Sequence, residues 1–231
     1  MVNRTRLIGL PFIILIKTME FLDKDLEEYV NQHTSPESDI LSDLNRQTNI
    51  KILQPRMLSG HLQGRTLSML SKMIQPKRIL EIGTYTGYSA ICMAEGLQED
   101  GELITIDINY ELQEMVNNYV EKAVFSNQIQ HKIGNALEII PQLNQNFDLV
   151  FIDADKVNYS NYYDLIINQL PSGAFIIADN VLWSGKVIES TKNNDKDTEA
   201  LKHFNDKIHA DTRVENVLFP IRDGLLVIRK K

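Results

Sequence analysis

One cysteine, Cys92, stands in 231 residues, so the chain can form no internal disulfide. Its place inside an apolar helical pattern marks a buried, inert thiol, and the missing disulfides suit a reducing cytoplasm. Basic charge is also short: 24 Lys and Arg stand against 31 Asp and Glu, a net charge of -7. A broad cationic surface for nucleic acid is therefore disfavoured, although a local basic patch is not excluded. No apolar run is long enough to span a bilayer. The best candidate, Leu7 to Ile16, follows Arg4 and Arg6 and is broken by Gly9 and Pro11. It resembles the charged start and apolar middle of a signal peptide, but Lys17-Thr-Met-Glu20 follows without a small-residue cleavage site. Residues 1–18 are read as an extension upstream of a true start at Met19. A membrane-surface tether or an oligomer contact is the alternative. No His or Cys cluster offers a zinc site, because His33, His61, His131, His203 and His209 are scattered. No repeat or low-complexity linker divides the remainder, so residues 19–231 read as one domain with N-terminal helices over 19–75.

What is present is organised around Arg78–Ser89. Ile79, Leu80 and Ile82 form a short apolar strand, Gly83 and Gly87 follow, and Tyr88 begins a helix pattern. Strand, glycine turn and helix is the form of a nucleotide-type cradle. The spacing is G-x-x-x-G, however, and the dinucleotide fingerprint requires G-x-G-x-x-G. Glu81 also stands ahead of the first glycine. A carboxylate there suits a cationic amino group better than a pyrophosphate. That directs the reading away from NAD and towards S-adenosylmethionine (SAM), which carries an ammonium and a sulfonium. Alone, the turn also fits a plain strand-to-helix connection.

From Arg78 onward strands and helices alternate. Strands are expected at Arg78–Gly83, Leu103–Asp107, Ile129–Ile133, Phe147–Ile152 and Gly173–Ala178. Helices are expected at Tyr88–Leu97, Tyr110–Val124, Ala136–Leu143, Tyr159–Leu170 and Ala200–His209. The first five strands imply a parallel sheet covered on both faces. Glu215–Phe219 and Gly224–Arg229 are joined by so short a turn that they must pair antiparallel. Three amphipathic helices, Met19–Gln32, one after Thr34-Ser-Pro-Glu37, and Gly60–Ile74, precede the sheet and pack over it or form a lid. Thr191–Asp197 reads as a polar surface loop.

Ligands bind such sheets at the carboxyl ends of the strands. Asp107 ends the second strand, where an acid accepts hydrogen bonds from ribose hydroxyls; capping the helix at Tyr110 is the alternative. Gly134-Asn-Ala136 would leave room beside an adenine ring. Asp153 follows the fourth strand, and Asp179 and Asn180 follow the fifth. Two carboxylates and an amide oxygen make a hard-cation site for Mg²⁺, or for Mn²⁺ or Ca²⁺. A plain turn at Asp179-Asn180 is the competing view. Lys156 stands three residues after Asp153. A cation beside it favours the neutral amine and so a general base. Otherwise Lys156 is a solvated partner of Asp155.

Leu80-Glu-Ile-Gly-Thr-Tyr-Thr-Gly-Tyr-Ser-Ala90, Ile104-Thr-Ile-Asp107, Phe151-Ile-Asp-Ala-Asp-Lys156, Ala178-Asp-Asn-Val-Leu-Trp-Ser-Gly-Lys-Val187 and Asp223-Gly224 together carry a resemblance. The chain resembles the cation-dependent, SAM-dependent O-methyltransferases that include the catechol and caffeoyl-CoA enzymes, from about Met57 to the C-terminus. The resemblance implies a class I SAM-methyltransferase fold, Rossmann-like α/β, with five parallel strands and a C-terminal antiparallel hairpin. It implies SAM contacts at Met57, Ser59, Glu81, Gly83, Tyr85 and Ser89, with Asp107 on the ribose and Ala136 beside the adenine. Asp153 and Asp155 also fall beside the cofactor. Asp153, Asp179 and Asn180 match the metal ligands, and Asp153 and Lys156 the catalytic pair. Asp155 and Trp183 agree with the caffeoyl-CoA and bacterial branch. Trp183 either walls the substrate ring or fills the core. The implied reaction is methyl transfer to a hydroxyl of an ortho-diphenol, by a cytoplasmic homodimer. A tRNA hydroxyuridine methyltransferase and a SAM-binding protein without turnover are the alternatives. The acidic balance argues against the first, and the intact ligand set with Lys156 against the second.

Overall fold

The computed structural model describes residues 23–190 and 195–231. The extension at 1–18, the opening of the first expected helix and part of the 191–197 loop lie outside them. Three helices come first: α1 (Lys24–Gln32), α2 (Asp39–Lys51) and α3 (Gly60–Ile74). Then β1 (Arg78–Ile82), α4 (Tyr88–Ala94), β2 (Glu102–Asp107), α5 (Gln113–Lys122), β3 (Ile129–Ile133) and α6 (Ala136–Ile139) alternate. The chain continues with β4 (Leu149–Ile152), α7 (Tyr159–Ile167), β5 (Phe175–Ala178), α8 (Lys196–Ala210), β6 (Val214–Phe219) and β7 (Leu225–Lys230).

The seven strands form one sheet in the order β3-β2-β1-β4-β5-β7-β6. The first five are parallel, and β7 is antiparallel to both β5 and β6, as expected. The strands read as nearly continuous apolar runs because both faces are covered. Leu80, Ile82, Val150, Ile152 and Ile176 pack with Tyr159, Tyr163, Phe204 and Ile208 of α7 and α8. Ile79, Leu103, Leu149, Phe151 and Ile177 pack on the other face with Leu44, Leu67, Tyr88 and Val116 of α2 to α5. Glu81 belongs to this second face by the two-residue alternation of a strand, yet it is fully buried.

Boundaries differ from the sequence expectation where local packing intervenes. Helix α4 stops at Ala94 rather than Leu97, and a Cβ on nearby Gly96 would run into the backbone of Ser71 and Lys72. Helix α8 begins earlier than Ala200 because Asp195 accepts a hydrogen bond from the Thr198 amide at 3.2 Å and caps it. Cys92 is buried as expected, and burial pushes its thiol up to about 12. Among the described residues no helix is long and apolar enough to cross a membrane.

Candidate active site

Parallel pairing brings the ends of β1, β2, β4 and β5 to one edge. The order reverses between β1 and β4, which are neighbours although two strands and their helices separate them in sequence. At that switch point Gly83 has a φ of +99° and lies against the main chain of Asp153. A Cβ on Gly83 would stand 2.6 Å from the carbonyl carbon of Asp153 and closer still to its oxygen. The glycine is therefore required by both its dihedral and its neighbour. Gly87, at φ +89°, precedes α4.

Asp107 binds this turn directly. Its Oδ2 accepts from the amides of Thr84 at 3.0 Å and Tyr85 at 2.8 Å, and Oδ1 accepts from Asn109 N at 2.8 Å. The capping role that competed for Asp107 is taken by Asn109, whose side chain accepts from Glu111 N. Tyr85 has a φ of +50°, and its hydroxyl donates to Gln54 O at 2.9 Å, tying the segment before α3 to the turn. That segment carries Met57, which is half exposed, and Ser59, which is buried. Ala136 is buried at the start of α6, whose cap is the side chain of Asn135.

Glu81 Oε2 accepts from the Thr105 hydroxyl at 2.5 Å, and Oε1 is buried with no partner among the described residues. Burial pushes the carboxyl up to about 8, the Ser89 and Thr105 hydroxyls oppose this, and Asp153 and Asp107 reinforce it. A buried carboxylate oxygen that makes no well-formed hydrogen bond, beside a turn that admits no side chain, fits the ammonium of SAM. The folded state then retains a proton that the unfolded chain releases. The stability of the ligand-free protein should fall as pH rises from 4.5 towards about 8. Glu81→Gln removes that dependence. Its stability should match the wild type near pH 5 and exceed it near pH 8 by an amount on the order of 3 kcal/mol, read as a higher melting temperature there. Equal melts at both pH values would mean that Glu81 is ionised in the folded protein.

The second cluster lies at the ends of β4 and β5. Lys156 is buried, and its Nζ donates to Asp153 Oδ1 at 2.9 Å, Asn180 Oδ1 at 2.8 Å and the Tyr159 hydroxyl at 2.6 Å. Tyr159 in turn donates to Asp179 O at 3.0 Å, and burial holds its phenol well above the usual range. Asp155 is not the lysine's partner. It is exposed, and it accepts from Tyr162 Oη at 2.6 Å and Asn158 Nδ2 at 2.5 Å. Asp179 is buried, and burial together with Asp153 raises its carboxyl while Lys156, Gln63 and the Asn180 amide oppose. Asn180 has a φ of +59°, a conformation asparagine tolerates, and its backbone amide donates to Asp179 Oδ1. Among the described residues no three His, Cys, Asp or Glu side chains cluster as a metal centre. Here the third oxygen belongs to an amide. An ammonium already lies between two of the three predicted ligands, and the donors are all oxygens, so the set fits a hard cation. Trp183 is partly buried against the core and its ring centre lies 5.9 Å from Lys156 Nζ, so it both packs and faces the site.

Three participants escaped the sequence reading. Tyr159 repeats the three-residue step from Asp153 to Lys156, a signal that could have exposed it. Gln63 lies four residues before Leu67 on the buried face of α3, a polar residue in line with an apolar stripe. Arg222, in the β6–β7 turn, carries no local signal.

A family model described as O-methyltransferase matches residues 28–231. Caffeoyl-CoA O-methyltransferase 1 of Nicotiana tabacum is 35% identical over 179 residues, covering 73% of this chain and 75% of that protein. A probable caffeoyl-CoA O-methyltransferase of Dictyostelium discoideum is 33% identical over 207 residues, covering 87% and 90%. An O-methyltransferase from Bacillus cereus, solved in complex with SAH, is 28% identical with a TM-score of 0.83, covering 90% of this chain and 97% of that one. The Streptomyces achromogenes O-methyltransferase TomG, solved with SAM, is 26% identical with a TM-score of 0.82, covering 90% and 96%.

Proposed function

Because this chain belongs to the cation-dependent O-methyltransferase family, we propose that it methylates one hydroxyl of an ortho-diphenol, of catechol or caffeoyl type, with a divalent cation. The fold is that of class I SAM methyltransferases, and the protein is a SAM-dependent O-methyltransferase. The observation that supports the cation and the acceptor is Lys156 Nζ lying between Asp153 Oδ1 and Asn180 Oδ1, beside the buried Asp179.

Bound SAM would supply the methyl group, and a bound Mg²⁺ would supply the positive charge that acidifies a phenol. Asp153, Asp179 and Asn180 would hold the cation. Glu81 would face the methionine ammonium, Asp107 the ribose, and Ala136 the adenine. Met57, Ser59, Gly83, Tyr85, Ser89 and Asp155 would line the cofactor. Lys156 would take the phenolic proton at Nζ, with Tyr159 and Asn180 fixing the amine. Trp183, whose ring lies beside Lys156, would offer the acceptor ring an apolar wall. The buried lone cysteine supports a cytoplasmic setting, and the family resemblance supports a homodimer.

Methyl transfer from SAM is to be measured with a catechol panel, caffeoyl-CoA and a tRNA pool, each with Mg²⁺ and with excess EDTA. Turnover of an ortho-diphenol is expected only with the cation, while SAH binding measured by calorimetry persists after chelation. Full activity in EDTA would remove the metal from the reading. Turnover of tRNA alone would replace the acceptor.

A further inference from the structure

The carboxylate of Asp179 has a donor on each oxygen. Oδ1 accepts from Asn180 N at 2.7 Å, and Oδ2 accepts from Gln63 Nε2 at 2.6 Å. Gln63 is only 1% exposed and stands 116 positions away in sequence, on α3. Behind it, Arg222 Nη1 donates to Gln63 Oε1 at 3.3 Å, to Leu58 O at 3.1 Å and to Ser59 O.

This order fixes which way the glutamine amide points. A carboxamide has an accepting end and a donating end of nearly equal shape, whereas a guanidinium can only donate. Arg222 therefore meets the oxygen end, and the amino end turns to Asp179. The reversed amide would set oxygen against carboxylate and amino group against guanidinium, two repulsive contacts at once.

We propose that Arg222 and Gln63 are positioning residues, a polarised pair that aims the Asp179 carboxylate at the divalent cation. The proposal rests on the metal reading above. Gln63 occupies one lone pair of Oδ2 and fixes the carboxylate plane, leaving the remaining lone pairs for a cation. Because Arg222 also grips the carbonyls of Leu58 and Ser59, the start of α3 and the ligand geometry are set by one side chain. A group that only satisfied a buried acid would stabilise the fold without tuning cation affinity. Partners of ligating carboxylates are typically worth ten- to a hundred-fold in metal affinity.

Mn²⁺ binding to the full chain, in the presence of SAH, is to be followed by electron paramagnetic resonance, with SAH affinity and melting temperature measured in parallel. Gln63→Met keeps length and removes both ends of the amide. It should weaken Mn²⁺ binding by roughly ten- to a hundred-fold with SAH affinity unchanged. Arg222→Met should weaken Mn²⁺ in the same direction, and Arg222→Lys, still a pure donor, should restore most of the affinity. The Arg222 pair carries the test should Gln63→Met fail to fold. Wild-type Mn²⁺ affinity in Gln63→Met, or equal affinities in the two Arg222 variants, would overturn the proposal. So would parallel losses of Mn²⁺ affinity, SAH affinity and melting temperature in Gln63→Met, which mark a purely structural role. A wild-type protein that binds no Mn²⁺ would end the metal reading and this one with it, and that result is visible before any variant is made.

Discussion

Lys156→Met should lower turnover by roughly a hundred- to ten-thousand-fold while leaving SAM affinity intact, the usual range for losing a general base. Methionine keeps the apolar stem and much of the length but cannot accept a proton. The expectation follows from burial and from the three hydrogen bonds of Nζ, which hold the amine beside the oxygens of Asp153 and Asn180. A lysine paired with Asp155 at the surface would predict little, since exposed ion pairs contribute about 0–1 kcal/mol. Single-turnover rates across pH, at saturating SAM and Mg²⁺, separate the two. The limb reporting the base should vanish in the variant. Cation affinity should hold or rise, because an ammonium no longer shares the same oxygens. A wild-type rate and profile in Lys156→Met would rule the lysine out as base and leave proton removal to water.

Gly83→Ala should cost the most stability of any single methyl added to this site. The new Cβ would meet the main chain of Asp153 and Ala154, which cannot rotate away as a side chain could. The φ of +99° adds a second penalty. A left-handed backbone costs a non-glycine residue roughly 1–2 kcal/mol, and overpacking typically another 1–3. At about 2–4 °C per kcal/mol for a chain of this size, the melting temperature should drop by roughly 5–20 °C. Gly87→Ala is the matched control. Its φ is +89°, but its Cβ would rest at 3.5 Å from Val116 Cγ1, an ordinary contact. Only the dihedral penalty remains there, so the loss should be clearly smaller. SAH binding should weaken in Gly83→Ala because Asp153 and the glycine turn must part. Equal melts for the two variants would show that the contact with Asp153 is soft.

How far the sequence alone reaches can be judged at these residues. Runs such as Ile79-Leu80 and Leu149–Ile152, each closed by a glycine or an acid and followed by helix pattern, are local signals, and they specified a parallel sheet. In a parallel sheet every strand points the same way, so Gly83, Asp107, Asp153 and Asp179 had to gather at one edge. The short turn before Gly224 likewise forced an antiparallel end, which the pairing of β6 with β7 bears out. Chemistry was legible for the same reason, because oxygen-bearing side chains at strand ends lie close in sequence to the strands that place them.

Tertiary structure decided the rest. Two acids lie within three residues of Lys156, and no spacing rule could choose between them. Tyr162 and Asn158 engage Asp155 and leave Asp153 to the lysine. Glu81 announced itself before the glycine, but only tertiary packing buried it and left one of its oxygens without a well-formed hydrogen bond. Gln63 and Arg222 are 159 positions apart, and α3 and the last hairpin must come together beside the end of β5 before Arg222 can reach Gln63 and Gln63 can reach Asp179. Sequence patterns report which face of an element is buried. A hydrogen bond between distant elements depends on where those elements come to rest, and that is fixed only when both faces of the sheet are packed.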